Sequence, residues 1–160
     1  ILENNNSFDF ILMDCPPSMG TLAINSLVAA DYYLVPMQAE NYAFIGLDRI
    51  LQAAEKVKLR MNTKLELGGI LFIKYHPRTK FGQAVVSNIT QNSLLKDKLF
   101  NSYIRQDIAL MEAPAFGQSI FEYAHDSNGA SDYHNLASEV DAAVLPIRQD
   151  EPCGINKMAA

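Results

Sequence analysis

The chain alternates short apolar runs with longer stretches in which apolar residues recur every three or four positions. Its first run, Phe10-Ile11-Leu12-Met13, is apolar without alternation, which is typical of a parallel strand covered on both faces. Further strands are predicted at residues 32–37, 70–73 and 99–104, and helices at 21–30, 43–60, 82–95 and 130–145. Strands and helices therefore alternate along the chain, which predicts an α/β fold with a mostly parallel sheet and helices on both faces.

The first predicted strand ends in a carboxylate, Asp14, which is followed by the turn sequence Cys15-Pro16-Pro17-Ser18-Met19-Gly20. Open α/β sheets bind their ligands at the carboxyl ends of strands. In nucleotide-hydrolysing folds an acidic residue at this place holds Mg²⁺. Aspartate also caps turns ahead of prolines, so the pattern by itself leaves both roles open. No Gly-x-x-x-x-Gly-Lys-Ser/Thr phosphate loop occurs within the 160 residues.

Composition narrows the classes of protein to consider. A hydrophobic share of 49% with 19% charged residues indicates a globular chain and excludes a disordered one. The net charge of −5 argues against a general electrostatic hold on nucleic acid, although a local basic patch stays open. The two cysteines and three histidines show neither disulfide nor metal-ligand spacing, which predicts a reducing, cytoplasmic location. No apolar run reaches the roughly 18 residues of a membrane span, and we expect no membrane association.

Four blocks in the same order resemble the ParA/Soj/MinD family of deviant Walker P-loop ATPases, and most closely its ParA/Soj partition branch. FDFILMDCPPSMG at 8–20 is similar to the family's Walker B and switch II, and the other blocks lie at 29–47, 78–82 and 112–133. The resemblance implies that residues 1–145 form the C-terminal portion of a ParA-like ATPase domain, an incomplete P-loop NTPase fold of the SIMIBI type. Residues 146–160 are predicted to be a flexible tail.

The resemblance also implies roles for individual residues. Asp14 would be the catalytic Walker B carboxylate and would hold Mg²⁺ through a water molecule. The residues expected to form the rest of the nucleotide site are Pro16, Pro17 and Gly20 of switch II, with Lys74, Arg105 and Gln106 in the loops that contact the base. Arg105 stands where the family often has proline, so a solvated loop is the alternative reading of that region.

A weak contact surface for DNA is expected from the same loops. Arg78, Lys80 and Arg105 would form a modest basic patch, while a solvated charged loop is the alternative. Ala109 stands where the family has a basic residue, which removes one expected phosphate contact.

Cofactors and partners follow from the resemblance in the same way. The family's deviant Walker A loop is missing from these residues, so we expect ATP and Mg²⁺ in the complete parent and neither binding nor hydrolysis by this chain alone. Complete relatives form an ATP-bound homodimer that binds DNA nonspecifically and is stimulated by a ParB-like adaptor. The expected function is chromosome or plasmid partitioning, in the bacterial cytoplasm and at the nucleoid when ATP is bound.

Two other functions stay open. The chain would act as a non-catalytic interaction module if it dimerised through a sheet edge left bare in the absence of the family's first half. A MinD-like cell-division regulator is the other alternative. It is disfavoured because the tail carries Pro146 and Pro152 in place of a basic amphipathic helix.

Overall fold

The computed structural model describes residues 8, 10–16, 18–40, 42–144 and 156–159. Its strands form a five-stranded sheet in the order β1-β5-β2-β3-β4, and the β1–β5, β2–β5 and β3–β4 pairs are parallel. The α/β class and the parallel sheet flanked by helices are therefore confirmed. The described residues divide into two compact units, whose boundaries fall within β2, between Val35 and Pro36, and within β3, between Gly69 and Ile70.

The first unit is built from three parallel strands, the start of a fourth and two helices. Its elements are β1 (Phe10–Met13), α1 (Thr21–Ala29), β2 (Tyr32–Met37, as far as Val35), α2 (Ala43–Arg60), β3 (Glu66–Ile73, as far as Gly69) and β5 (Asn156–Ala159). α1 packs against α2. Asn62 just beyond α2 donates hydrogen bonds from Nδ2 to the carbonyl oxygens of Leu27 and Ala30, at 3.1 and 2.7 Å. These bonds satisfy carbonyls at the end of α1 and fix the two helix ends together.

The second unit contains the ends of β2 and β3, one further strand and four helices. Its elements are α3 (Lys80–Gln91), β4 (Leu99–Ile104), α4 (Ile108–Glu112), α5 (Ile120–Tyr123) and α6 (Asn128–Val144), with 3-10 turns at Lys96–Lys98 and Ala113–Phe116. The largest fully buried side chains of this unit are Ile70 on β3 and Ile89 on α3. A small separate cluster joins Ala113, Ile120 and Ala130.

Two helices begin earlier than predicted, in both cases because a polar side chain caps them. The hydroxyl oxygen of Thr79 accepts the N–H of Gly82 at 3.1 Å, so α3 begins at Lys80. The hydroxyl oxygen of Ser127 accepts the N–H of Ala130 at 3.1 Å, and α6 begins at Asn128. β3 begins at Glu66, ahead of the predicted glycine pair, because the N–H of Glu66 donates to the carbonyl oxygen of Asp31 at 3.0 Å.

Two features of the sheet differ from the sequence predictions. Strand β5 lies within the stretch 146–160 that was predicted to be a loose tail; residues 146–155 and 160 are outside the described part of the chain. β5 has only four residues, which is too short for a pattern of apolar residues that would predict a strand. The strand β1 is present as predicted, but Leu12 is 75% exposed, so the described residues do not cover both of its faces.

Candidate functional site

The predicted metal-binding carboxylate lies at the carboxyl end of β1. Asp14 directly follows Met13, the last residue of the strand, and its side chain is exposed. The thiol of Cys15 donates a weak hydrogen bond to the carbonyl oxygen of Met13, with Sγ and O 3.7 Å apart. Asp14 is therefore presented to solvent at the edge of a parallel sheet where α/β proteins bind ligands.

The turn after Asp14 leads into α1 with an extended backbone at its last residue. Gly20 is the residue before the helix, with φ −87° and ψ −171°, and its carbonyl oxygen accepts the N–H of Ile24 at 3.1 Å. An added Cβ at Gly20 would meet Ser18 Oγ at 3.8 Å, an ordinary contact, so this conformation does not require glycine. Pro16 is exposed in the same turn, and Pro17 lies outside the described residues.

The described residues contain no group of three or more His, Cys, Asp or Glu side chains that would hold a metal ion. Asp14 therefore belongs to no cluster of three or more such ligands among the residues that the structure describes. This arrangement suits Mg²⁺, which keeps several of its waters and takes further ligands from substrate phosphates.

In the second unit, the residues expected near a nucleotide base follow two paired strand ends. Ile73 lies opposite Ile104 in the parallel β3–β4 pair, so Lys74 and Arg105 both leave the sheet at the same edge. Lys74 has φ 49°, a left-handed conformation uncommon for a side chain with a Cβ. The structure brings Lys74, Arg105 and the exposed Gln106 to this edge of the second unit. Asp14 belongs to the first unit.

Arg105 is held by a carboxylate of α6. Its Nη2 donates to Asp132 Oδ1 at 2.7 Å, its Nε donates to Oδ2 at 3.0 Å, and its backbone N–H donates to Oδ2 at 2.9 Å. Asp132 is 6% exposed, while the Arg105 side chain is 38% exposed. The hydrogen bonds that Arg105 donates to Asp132 raise the pKa of Arg105 further above its ordinary value. The guanidinium is therefore committed to an internal pair, and contact with a base or a phosphate would compete with that pair.

A second carboxylate fixes the same loop to the beginning of α6. Asp107 Oδ1 accepts the N–H of Ala109 at 3.0 Å and so caps α4, while its Oδ2 accepts the N–H of Gly129 at 2.8 Å. Gly129 lies so close to Leu110 that an added Cβ would come within 2.6 Å of Leu110 Cγ. Close packing against Leu110 thus explains why Gly129, in the last family-like block, is a glycine.

A third carboxylate supports an irregularity in β4. The register of β4 on β3 shifts between Ile70 and Phe72, and Glu139 of α6 accepts backbone hydrogen bonds at this place. Glu139 Oε1 accepts the N–H of Asn101 at 2.7 Å, and Oε2 accepts the N–H of Ser102 at 2.8 Å. Burial acts to raise the pKa of Glu139, but the hydrogen bonds from Ser102 and Asn101 outweigh it and lower the pKa.

The basic residues predicted to contact DNA surround the beginning of α3. Arg78 and Lys80 are exposed on either side of Thr79, the residue that caps this helix. Gly82, one turn further on, allows the Tyr75 ring to approach, because an added Cβ would lie 2.8 Å from Tyr75 Cε2. Positive side chains at this end of a helix are opposed by its dipole, so helix stability does not account for them.

Sequence reasoning missed the three carboxylates that organise the loop and strand beside Arg105. Asp132 and Glu139 are seven residues apart on α6, about two helical turns, and so share its strand-facing side. Acidic residues at core-facing positions of a predicted helix were the available signal, because such groups are rarely buried unless they are paired.

Among the described residues, no helix is both long and apolar enough to cross a membrane.

Comparison with known proteins places these features in a family. A family model described as an AAA domain matches residues 1–67, which include β1 and Asp14. The chromosome-partitioning ATPase Soj of Treponema pallidum is 42% identical over 142 residues, or 89% of this chain and 55% of the relative. The sporulation initiation inhibitor protein Soj of Bacillus subtilis is 38% identical over 85% of this chain and 53% of the relative. The chromosome partitioning protein ParA of Caulobacter vibrioides is 32% identical over 87% of this chain and 51% of the relative.

A solved structure supports the fold independently of close sequence identity. The cobyrinic acid a,c-diamide synthase of Mycobacterium smegmatis, determined with a bound ATP analogue and magnesium, superposes with a TM-score of 0.52 at 24% identity. The superposition covers 89% of this chain and 49% of that protein. The chain likewise spans about half the length of the curated relatives it matches. Its similarity to these relatives over most of its residues shows that the chain belongs to the ParA/Soj family.

Proposed function

We propose that this chain carries the Walker B and switch II part of a ParA-like ATPase that partitions chromosomes or plasmids. One observation supports the proposal above the others. Asp14 is exposed directly after the last residue of a parallel strand, within the residues that match the family model. This is where the metal-bearing carboxylate of a nucleotide-hydrolysing fold is required.

In this proposal Asp14 would hold Mg²⁺ through a bound water molecule, and the bound ion would supply positive charge next to the phosphates. The exposed carboxylate has the freedom to accept hydrogen bonds from such a water. The turn containing Pro16, Pro17 and Gly20 follows directly and would report the presence of the terminal phosphate. Lys74 and Gln106 would contact the base, and Arg105 would position its loop through Asp132.

The 160 residues by themselves are proposed to be inactive in hydrolysis. Phosphoryl transfer depends on donors that surround the phosphates, and a single carboxylate supplies neither that positioning nor that charge. We therefore assign the phosphate-binding loop to residues outside this sequence. ATP and Mg²⁺ would be cofactors of the complete protein.

The proposal also includes partners, which are DNA, a second copy of the protein and an adaptor protein. Arg78 and Lys80 at the exposed beginning of α3 would contribute a weak, sequence-independent contact to DNA phosphates in an ATP-bound homodimer. A ParB-like adaptor would stimulate hydrolysis, and the protein would associate with the nucleoid while ATP is bound.

The test measures ATP turnover by a full-length version and by the 160-residue chain, each with and without DNA and the adaptor. The proposal predicts slow turnover by the full-length version, raised when both partners are present, and none by the 160-residue chain. Turnover by the 160-residue chain itself, or a full-length version that neither binds nor hydrolyses ATP, would contradict it.

One observation favours a second function, that of an interaction module. β1 is the end strand in the sheet order, and Leu12 on it is 75% exposed. An end strand with exposed apolar side chains is a place where another copy can add. Light scattering on the 160-residue chain decides this: a dimer that Leu12→Lys converts to a monomer supports it, and a monomer at all concentrations rejects it.

A further inference from the structure

A groove in the first unit combines an apolar floor with cationic side chains, and none of its residues belongs to the nucleotide or DNA contacts proposed above. It has a volume of ≈ 410 Å³ and lies beside α1 and α2. Its apolar floor includes Met19, Ile24 and Val57, and the cationic residues Arg49, Lys56 and Arg60 of α2 line it as well. A volume of this size is within the range of natural ligand sites.

The three cations form a stripe along one face of α2. Lys56 and Arg60 lie seven and eleven residues after Arg49, which is about two and three turns of a helix. The stripe is therefore about 16 Å long, at roughly 1.5 Å per residue. All three side chains belong to exposed residues.

Nothing in the described part of the chain neutralises this stripe. No carboxylate lies within ion-pairing distance of any of the three cations among the residues the structure describes. α2 has two acidic residues: Asp48 accepts a hydrogen bond from Gln52 Nε2 at 2.6 Å, and Glu55 directly precedes Lys56 along the helix without forming an ion pair with it. The stripe also opposes the sign of the whole chain, whose net charge is −5. A concentrated positive stripe on an acidic protein is an electrostatic feature that favours an anionic partner.

The floor of the groove decides which kind of anion fits. A phosphate backbone would pair with the cations but would leave the apolar floor uncovered. An amphipathic helix that places leucine-like side chains on the floor and carboxylates along the stripe would satisfy both parts. The flexible side chains of Met19 and Met61, both in the lining, adapt to varied apolar partners.

We propose that this groove binds an acidic amphipathic helix of a partner protein. Apolar side chains of the partner, spaced three and four residues apart, contact the floor formed by α1 and α2. Glutamates or aspartates beside them pair with Arg49, Lys56 and Arg60. Asp14 is not among the residues that line the groove, although Met19 belongs to the turn that follows Asp14.

The test uses the 160-residue chain and a fluorescein-labelled helical peptide of about 16 residues, long enough to follow the stripe. The peptide carries leucines on one face and glutamates elsewhere, and a matched peptide has lysine in place of every glutamate. Fluorescence anisotropy measures the affinity of both peptides and of a duplex DNA.

Lys56→Glu and Arg60→Glu are the two test variants. Lys58→Glu makes the same charge change on the opposite side of the same helix, and circular dichroism establishes that each variant is folded.

The acidic peptide is expected to bind and the lysine peptide is not. Lys56→Glu and Arg60→Glu should each weaken binding at least about tenfold, while Lys58→Glu should change it by less than about threefold. The proposal is overturned if neither peptide binds, if both bind equally, or if Lys58→Glu weakens binding as much as the test variants. It is also overturned if the DNA displaces the peptide and depends on the same two residues, which would make the groove a phosphate site.

Discussion

Arg105 and Asp132 form a two-pronged ion pair between the end of β4 and the first turns of α6, with Nη2 and Oδ1 2.7 Å apart. The pair also uses the backbone N–H of Arg105, so Asp132 fixes both the side chain and the course of the loop. The residue that the family resemblance placed in a base-contacting loop is thus anchored within the protein. Any role of this loop in binding nucleotide rests on an arrangement that Asp132 maintains.

Replacing Asp132 with alanine should lower the free energy of unfolding by about 2–3 kcal/mol. The substitution removes the buried carboxylate and its hydrogen bonds. Because the guanidinium of Arg105 stays partly solvated, the loss of stability should lie at or below the lower end of the range for a broken buried ion pair. Urea denaturation measures it. The matched control is Asp126→Ala, because Asp126 pairs with His125 on the surface with 91% of its side chain exposed. The control should cost less than about 0.5 kcal/mol. Equal losses in the two variants would contradict the structural role of Asp132.

The positions of the main strands and helices could be predicted from the sequence, because each presents a local apolar pattern. β2, β4 and α2 have the predicted bounds, and Asp14 directly follows the first strand as expected. Local patterns are sufficient here because burial of one helix face or strand determines which residues are apolar.

The carboxylates beside Arg105 could not be predicted in the same way. Asp132 and Glu139 act on atoms 27 and at least 37 residues away, and three of the groups they accept, the backbone N–H groups of Asn101, Ser102 and Arg105, leave no trace in the sequence. α4 and α5 were missed because elements of five and four residues are too short to show a helical period. The predicted beginnings of α3 and α6 lie two residues late, because the apolar pattern does not show the caps formed by Thr79 and Ser127.

Glu139 makes stability depend on pH in the acidic range. Its pKa is lowered in the folded protein from the ordinary value of 4.5, so its contribution is present above that value. The contribution is lost as the pH falls through the lowered pKa, because protonation removes the negative charge and places a proton on one of the two oxygens that accept from the N–H groups of Asn101 and Ser102. Glu139→Gln should therefore cost about 1 kcal/mol near neutral pH, and the difference from the unmodified chain should shrink below about pH 4.

Urea denaturation at several pH values checks this dependence. Glu40→Gln is the control, since Glu40 is an exposed carboxylate of the same unit. The control should follow the unmodified chain at each pH. A cost of Glu139→Gln that stays constant down to acidic pH would show that the ionised carboxylate is not what stabilises β4.

Replacing either of two helical glycines with alanine should change the stability of the protein, but in opposite directions. Gly46 of α2 has no atom within 4 Å of an added Cβ, so Gly46→Ala should stabilise the protein by about 0.5 kcal/mol through helix propensity. At Gly82 of α3 the same Cβ would lie 2.7 Å from Thr79 Oγ1 and 2.8 Å from Tyr75 Cε2. Tyr75 is buried and stacked on Phe72 at 5.0 Å, so it has little room to move.

Gly82→Ala should therefore destabilise the protein by about 1–3 kcal/mol despite the gain in helix propensity. Thermal and urea denaturation of the two variants side by side give the comparison. Stabilisation by both substitutions would contradict the packing of Tyr75 against the beginning of α3.

Asp14 offers the most direct test of the central proposal. Asp14→Ala in a full-length version should abolish Mg²⁺-dependent ATP hydrolysis while leaving the folded structure intact, because the substituted carboxylate is exposed and its loss leaves no buried group unpaired. The control Asp48→Ala removes an equally charged, exposed carboxylate from α2 and should retain turnover. Turnover by Asp14→Ala equal to that of the Asp48→Ala control would contradict the assignment of Asp14 as the metal-holding carboxylate of a partition ATPase.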